Sequence, residues 1–147
     1  MTATVQVLLV EDDAGDILMT QEALAALAHP SDVHIARDGV EALAFLHAAA
    51  ARPESQLPDL VLLDLNLPRM DGREVLAEIR GDASLTHLPV VVLTTSSNEE
   101  DVARSYRLHA NAYVTKPVDY ASFVGAVAAI ERFFTEVAQL PPHPSGE

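Results

Sequence analysis

The sequence contains no cysteine and no tryptophan, and its aromatic residues are limited to four Phe and three Tyr. Without cysteine the chain cannot form disulfides, present a thiolate nucleophile or hold zinc through sulfur ligands. A cytoplasmic protein is the simplest interpretation of that composition. The shortage of aromatic side chains also argues against a protein that stacks a flat ring, such as a flavin, between them.

Positive charge and long apolar segments are also scarce. Nine Lys and Arg stand against 22 Asp and Glu, which gives a formal net charge of −13. Because basic side chains supply most of the affinity for a phosphate backbone, we expect no nucleic-acid partner. The apolar runs VQVLLV and LPVVVL fall well short of the roughly 20 residues that span a bilayer. The start, MTATVQ, has no basic region or cleavage site, so we expect neither a signal peptide nor a membrane partner.

Five short apolar runs, rich in β-branched residues, alternate with helical patterns along the 147 residues. That length suits one domain with a substantial core. Near-continuous apolar strands separated by helices predict a doubly wound α/β fold, with a parallel sheet between two helical layers. Alternation alone leaves the strand order open. The predicted strands cover residues 5–10, 33–36, 59–65, 89–95 and 112–115.

Apolar spacing and capping residues locate the helices. The second helix is expected to open at Asp38, because Glu41 follows three residues later as in a capping box. The last helix is expected to open at Asp119, and residues 48–58 are expected to form a surface loop. We assign the domain to residues 1–139 and a proline-rich tail to 140–147. The predicted apolar stripes include Ile17, Leu18 and Leu24 in the first helix, Val40, Leu43 and Leu46 in the second, and Phe123, Val127, Ile130, Phe134 and Val137 in the last.

Residues that can carry chemistry follow the ends of four predicted strands. Sites in such sheets form outside the carboxyl ends of the strands, so these side chains are expected to converge. They are Glu11 and Asp12 after the first strand, Asp64 and Asn66 after the third, Thr94 and Thr95 at the fourth, and Lys116 after the fifth.

Clustered carboxylates repel each other unless a cation lies among them, and Mg²⁺ suits a site of a few carboxylates and waters. Such an ion, a lysine and hydroxyl or amide groups would neutralise phosphate oxygens, while one carboxylate acts as the nucleophile. Each residue also has a structural alternative: Asp12 or Asp13 could cap the first helix, Asp64 could belong to a turn, and Lys116 could be a surface lysine. Their joint placement favours phosphoryl transfer.

The segments LLVEDD, LVLLDLNLPRMDG, PVVVLTTS and AYVTKPV resemble the receiver domain of two-component response regulators, in that family's order and spacing, over about residues 5–137. The resemblance implies a flavodoxin-like sheet with strand order 2-1-3-4-5. It also implies a signalling protein that takes a phosphoryl group from a sensor histidine kinase in a Mg²⁺-dependent reaction. Its only catalysis would be its own phosphorylation and dephosphorylation.

Transferred position by position, the resemblance makes Asp64 the phosphoacceptor. The metal site would comprise Glu11, Asp12, Asp64 and the Asn66 carbonyl; Glu11 stands where many receivers have Asp, although related ones also use Glu. The remaining implied roles are the switch pair Thr94 and Tyr113, the Thr95 backbone N–H beside the phosphoryl group, and Lys116, followed by a cis peptide to Pro117. The switch would act on the face formed by the fourth helix, the fifth strand and the last helix.

The ending AIERFFTEVAQLPP resembles the C-terminal extension of receivers that pair with bacterial phytochrome kinases. Phe133 and Leu140 prolong an apolar surface there, offset from the stripe that faces the sheet, so we expect a homodimer through the last helix and the extension. No output domain is expected after it.

Three rival interpretations are less consistent with these residues. A flavin carrier needs a phosphate-binding loop where Glu11 and Asp12 stand. A phosphatase of the haloacid dehalogenase class has a second Asp two residues after its nucleophile, where this chain has Asn66, and its nucleophile follows the first strand. A purely structural module leaves the convergence of acids and Lys116 unexplained.

Overall fold

The structure, a computed structural model, describes residues 5–25, 31–52, 57–94, 110, 112–115 and 119–132. Strands and helices alternate along these ranges, as the sequence predicts. The strands are β1 Val5–Val10, β2 Ser31–Ala36, β3 Leu60–Leu63, β4 Val90–Thr94 and β5 Ala112–Thr115; the helices are α1 Ala14–Ala25, α2 Gly39–Ala51, α3 Gly72–Gly81 and a C-terminal helix Tyr120–Arg132.

The five strands form one parallel sheet in the order β2-β1-β3-β4-β5, which confirms the predicted fold class and strand order. Strand β1 lies between two neighbours in the sheet, since it pairs with β2 on one side and β3 on the other. Its last residue, Val10, is in register with Ala36 and with Leu63. The carboxyl ends of these three strands therefore lie side by side.

Two hydrophobic clusters pack on opposite faces of the sheet, as the alternation of side chains along a strand requires. In β1, Leu8 and Val10 belong to the cluster that contains residues of α2 and α3, whereas Val7 and Leu9 belong to the other. The second cluster contains Ile17 from α1 and residues of the C-terminal helix, Phe123 and Val127 among them. This arrangement is the expected three-layer architecture.

The expectation of a surface loop over residues 48–58 is wrong at both ends, because α2 continues through Ala51 and because Leu57 is buried in the core. Residues 48–51 are four consecutive alanines, the residue with the highest helix propensity, and Ala49 is buried against the sheet-facing core. The predicted apolar stripes are also too wide, because Leu18 and Val40 are 56% and 44% exposed. Each lies next to a residue that does face the core, Ile17 in α1 and Gly39 in α2, and so points about 100° away from it.

Helix capping follows the prediction at Asp38 and at Asp119. Asp38 accepts a hydrogen bond from the Glu41 backbone N–H at 2.8 Å, and the Glu41 side chain accepts one from the Arg37 N–H at 2.8 Å. Asp119 accepts from the Ser122 N–H at 2.8 Å. Residues 98–108, where the pattern predicts the fourth helix with Asn98 as its N-cap, lie outside the described residues. The tail over 140–147 does as well, so the domain boundary at 139 stays a prediction.

None of the helices within the described ranges combines the length and hydrophobicity that a membrane crossing requires.

Candidate functional site

Two neighbouring strands deliver the acidic residues to one edge of the sheet. Glu11 and Asp12 follow β1 directly, and Asp64 follows β3. Hydrogen bonds continue the sheet one residue past each strand: the Asp64 N–H donates to the Val10 carbonyl at 3.0 Å, and the Glu11 N–H donates to the Ala36 carbonyl at 3.0 Å. The backbone under the site is therefore as firmly held as the sheet itself.

The side chains of Glu11, Asp12 and Asp64 meet at that edge. One carboxylate oxygen from each lies within 4.8 Å of the others. Glu11 is only 3% exposed and Asp64 only 8% exposed, while Asp12 is open to solvent. Buried carboxylates at such distances repel each other and have lost much of their hydration. The donor set consists of oxygen atoms alone, which is the set preferred by hard divalent cations such as Mg²⁺. The three residues therefore fit a divalent metal site open to solvent on the Asp12 side.

Asp13 has a different role from the two acids that precede it. Its Oδ2 accepts a hydrogen bond from the Asp16 N–H at 2.8 Å, and its carbonyl accepts one from the Ile17 N–H at 2.9 Å. These bonds make Asp13 the N-terminal cap of α1. The sequence left open whether Asp12 or Asp13 caps this helix; the structure assigns the cap to Asp13 and leaves Asp12 in the acidic cluster.

The loop between β3 and α3 begins at the acidic cluster. The Asn66 N–H donates a hydrogen bond to Asp64 Oδ1 at 3.0 Å, which orients the Asp64 carboxylate. Gly72 closes the loop, since its N–H donates to the Leu65 carbonyl at 3.0 Å. A β-carbon on Gly72 would overlap the Asp64 carbonyl oxygen and lie 2.7 Å from Leu65 Cα. Only glycine lets the start of α3 approach the backbone of Asp64 this closely.

A capping box at the start of α3 was missed by the sequence analysis. Asp71 accepts a hydrogen bond from the Arg73 N–H at 2.7 Å, and the Glu74 side chain accepts one from the Asp71 N–H at 3.2 Å. The signal was present as an Asp followed three residues later by Glu. It was overlooked because the same Asp precedes Gly72, and that pair also signals a turn.

The two residues predicted to form the switch pair lie on neighbouring strands. Thr94 is the last residue of β4 and Tyr113 lies in β5, which pairs with β4 in parallel register. The backbone of Thr94 is thus at the edge where the acids converge, as predicted. The side chains of Thr94 and Tyr113, together with Thr95, Lys116 and Pro117, lie outside what the structure describes, and their roles stay predictions.

Known proteins share both the sequence and the fold of this chain. A family model described as the response regulator receiver domain matches residues 7–128. Response regulator Rcp1 of Synechocystis sp. is 47% identical over 135 residues, which cover 92% of each protein.

Two solved structures resemble the chain in fold as well as in sequence. A phosphorylated cyanobacterial phytochrome response regulator, RcpA, is 48% identical with a TM-score of 0.89, and the match covers 95% of this chain and 99% of that one. The Mn²⁺-bound form of Rcp1 is 47% identical with a TM-score of 0.85, over 93% of this chain and 99% of that one.

Proposed function

This chain belongs to the response regulator receiver family, and we propose that it accepts a phosphoryl group on Asp64 from a histidine kinase in a Mg²⁺-dependent reaction. One observation carries the proposal. The Asp64 carboxylate lies at the end of a central strand, 8% exposed, with oxygens of Glu11 and Asp12 within 4.8 Å. A nucleophilic carboxylate beside a divalent-cation site is the arrangement that phosphoryl transfer to an aspartate requires.

In the proposed reaction, an Asp64 carboxylate oxygen attacks the phosphorus of a phosphohistidine. The new P–O bond forms an acyl phosphate, and the N–P bond breaks, leaving its electron pair on the imidazole, which takes a proton from solvent. Attack of water on the acyl phosphate later releases inorganic phosphate and restores Asp64. These two steps would be the chain's only catalysis.

The surrounding residues would lower the electrostatic cost of these steps. Glu11, Asp12, Asp64 and the Asn66 carbonyl would hold Mg²⁺, which when bound neutralises phosphate oxygens and the clustered carboxylates. The Asn66 N–H, 3.0 Å from Asp64 Oδ1, holds the carboxylate in place. Lys116 and the Thr95 N–H would bind the phosphoryl oxygens that the metal does not reach.

We propose a bacterial phytochrome kinase as the phosphoryl donor, because the cyanobacterial RcpA is a phytochrome response regulator. Candidate phosphorylated kinases should be mixed with the full chain and Mg²⁺, and label transfer followed on Phos-tag gels. We expect transfer from a phytochrome kinase within seconds to minutes. A protein that takes label neither from any kinase nor from acetyl phosphate would contradict the proposal. If that protein is also colourless, and so holds no flavin, a binding module would be favoured. Cytoplasmic location fits such a donor and the cysteine-free composition.

Signal output is proposed to depend on Thr94 and Tyr113. The Thr94 hydroxyl would move toward the phosphoryl group, and Tyr113 would follow, biasing a two-state equilibrium on the face that includes β5 and the C-terminal helix. Thr94→Ala should therefore still take label but lose any phosphorylation-dependent change in partner or dimer affinity. Multi-angle light scattering with and without beryllofluoride, a phosphoryl mimic, measures the change in dimer affinity. A fully retained change in the variant would refute the coupling.

We also propose a homodimer through the C-terminal helix and the extension that follows it. Phe123 and Val127 face the sheet, so the core accounts for the first half of the predicted stripe. Phe133 and Leu140 lie beyond the described residues and are taken from the apolar pattern of the sequence alone.

The double variant Phe133→Ala with Leu140→Ala should give a folded monomer where the wild type is a dimer. Since each copy carries a net charge of −13, added salt should strengthen the wild-type dimer by screening the repulsion. Light scattering in low and high salt checks both effects. A wild type that stays monomeric at high micromolar concentration, with salt and beryllofluoride, would rule the dimer out.

A further inference from the structure

An ion pair joins the β3–α3 loop to the first turn of α2. Arg69 Nε lies 3.0 Å from Asp38 Oδ2, and Arg69 Nη2 lies 3.2 Å from Asp38 Oδ1. The two contacts form a bidentate pair, the geometry in which guanidinium and carboxylate groups are most strongly oriented. The side chain of Arg69 is 61% exposed and that of Asp38 is 15% exposed, so the acid is the anchored partner.

Asp38 is held in place independently of Arg69. Its Oδ1 also accepts the Glu41 N–H as the cap of α2. The pKa of Asp38 lies below its ordinary value, first because of that Glu41 N–H and second because of Arg69. Since the folded-state pKa is the lower one, the pair is present above about pH 4 and is lost only as pH falls through the lowered value.

The backbone of the loop is unusual at the same point. Arg69 has φ of 65°, and among the described residues it is the one non-glycine with a positive φ. A branched, bulky or long side chain rarely adopts this left-handed conformation, because its β-carbon crowds the neighbouring backbone. The next residue, Met70, packs against α2 so closely that a β-carbon on Gly39 would overlap the Met70 carbonyl oxygen. Residues 69 and 70 are therefore pressed against the start of α2.

Two anchors flank Asn66 along the loop. On its N-terminal side, the backbone of Asp64 and Leu65 lies directly against Gly72. On its C-terminal side, the pair of Arg69 with Asp38 ties the loop to the capped start of α2. Asn66, whose N–H donates to Asp64 Oδ1, lies in the stretch between these anchors.

We propose that Arg69 is a positioning residue for the metal site: through Asp38 it anchors the loop that carries Asn66 and so lowers the cost of bringing Asn66 to a divalent cation. This inference rests on the proposed function, because it assumes the metal site of Glu11, Asp12, Asp64 and Asn66. Preorganised ligands bind more tightly because less conformational freedom is lost on binding.

The direction of the change in cation affinity distinguishes this positioning role from a purely electrostatic effect of the Arg69 charge. Removing the positive charge of Arg69 from the region of an acidic cluster should strengthen cation binding, if charge alone matters. Loss of the anchor should instead weaken it. Arg69→Asn is the informative variant, because Asn tolerates a left-handed backbone and the strain at this position is then not increased. Asp38→Asn is its counterpart, because Asn caps helices about as well as Asp.

The test is Mn²⁺ titration by calorimetry on the full chain, with wild type, Arg69→Asn, Asp38→Asn, the double variant and the control Arg52→Asn. Arg52 lies at the opposite end of α2 and carries the same charge. We expect about two- to five-fold weaker binding for each single variant, the range of a partly exposed ion pair. The double variant should be no weaker than the singles, and Arg52→Asn should match the wild type or bind slightly tighter.

Amide hydrogen exchange without metal supplies a second measurement. The N–H groups of Asn66 and Met70 should exchange faster in Arg69→Asn than in wild type or Arg52→Asn. Unchanged or tighter Mn²⁺ binding by Arg69→Asn, or additive losses in the double variant, would overturn the positioning role alone. A wild type that binds no Mn²⁺ would overturn the metal site of the proposed function, and the positioning role with it.

Discussion

Asp64→Asn should abolish phosphorylation completely, both by a kinase and by acetyl phosphate, while the protein stays folded. The amide of Asn has no anionic oxygen to attack phosphorus. Its carbonyl oxygen can still accept the Asn66 N–H that Asp64 Oδ1 accepts at 3.0 Å, so the loop keeps its local contact. Removing one of three crowded carboxylates also relieves repulsion in the metal-free state, so the free energy of unfolding without metal should rise. Phos-tag gels and urea unfolding measure the two effects.

The matched control is Asp71→Asn, seven residues along the same segment. Asp71 caps α3, and Asn preserves that cap. This variant should take label as the wild type does. Label that persists undiminished in Asp64→Asn, or that disappears equally in both variants, would show that Asp64 is not the acceptor.

Mg²⁺ should raise the melting temperature of the wild type substantially and that of Asp12→Ala much less. The proposed cation site exists only in the folded chain, because the acids that follow β1 and β3 are brought together by the sheet alone. At a concentration about 100 times Kd, binding would stabilise the fold by about 2.7 kcal/mol, which corresponds to roughly 5–11 °C in a domain of this size. Asp12→Ala removes one of the three clustered carboxylates.

Asp13→Asn is the control for this experiment. It removes the same charge from the adjacent residue, yet Asn can still accept the Asp16 N–H at the start of α1. Its response to Mg²⁺ should equal that of the wild type. Differential scanning fluorimetry across a Mg²⁺ series, with EDTA as the metal-free reference, gives all three curves. Equal responses of wild type and Asp12→Ala would argue against a metal site that contains Asp12.

The site residues were predictable because parallel strands impose a simple rule. In a parallel sheet all carboxyl ends lie at one edge, so residues 11, 12 and 64 had to meet once their strands were recognised. Which acid points into the cluster depends on finer detail. Asp12 and Asp13 are equivalent as sequence, and only the start of α1 assigns Asp13 to the helix.

Sequence patterns do not predict contacts between individual side chains that are distant along the chain. The pair of Arg69 with Asp38 joins residues 31 apart, and it requires both the left-handed backbone of Arg69 and the close approach of Gly39 to Met70. The exposure of Leu18 and Val40 was missed for a related reason. Periodicity marks a broad apolar stripe, but the tilt of each helix on the sheet decides which edge of the stripe is buried.

Asp64 lies more than 50 residues along the chain from Glu11 and Asp12, and the three residues meet through the pairing of β1 with β3. A fragment that lacks either β1 or β3 does not have the three carboxylates together. Under the proposed function, a molecule in which β1 and β3 are not yet paired would not react with phosphoryl donors, because it lacks the cation site as well as the oriented acceptor. The phosphorylated fraction of a cellular pool would then consist of intact molecules only. Damage to the fold would therefore lower the signal and would not produce a false one.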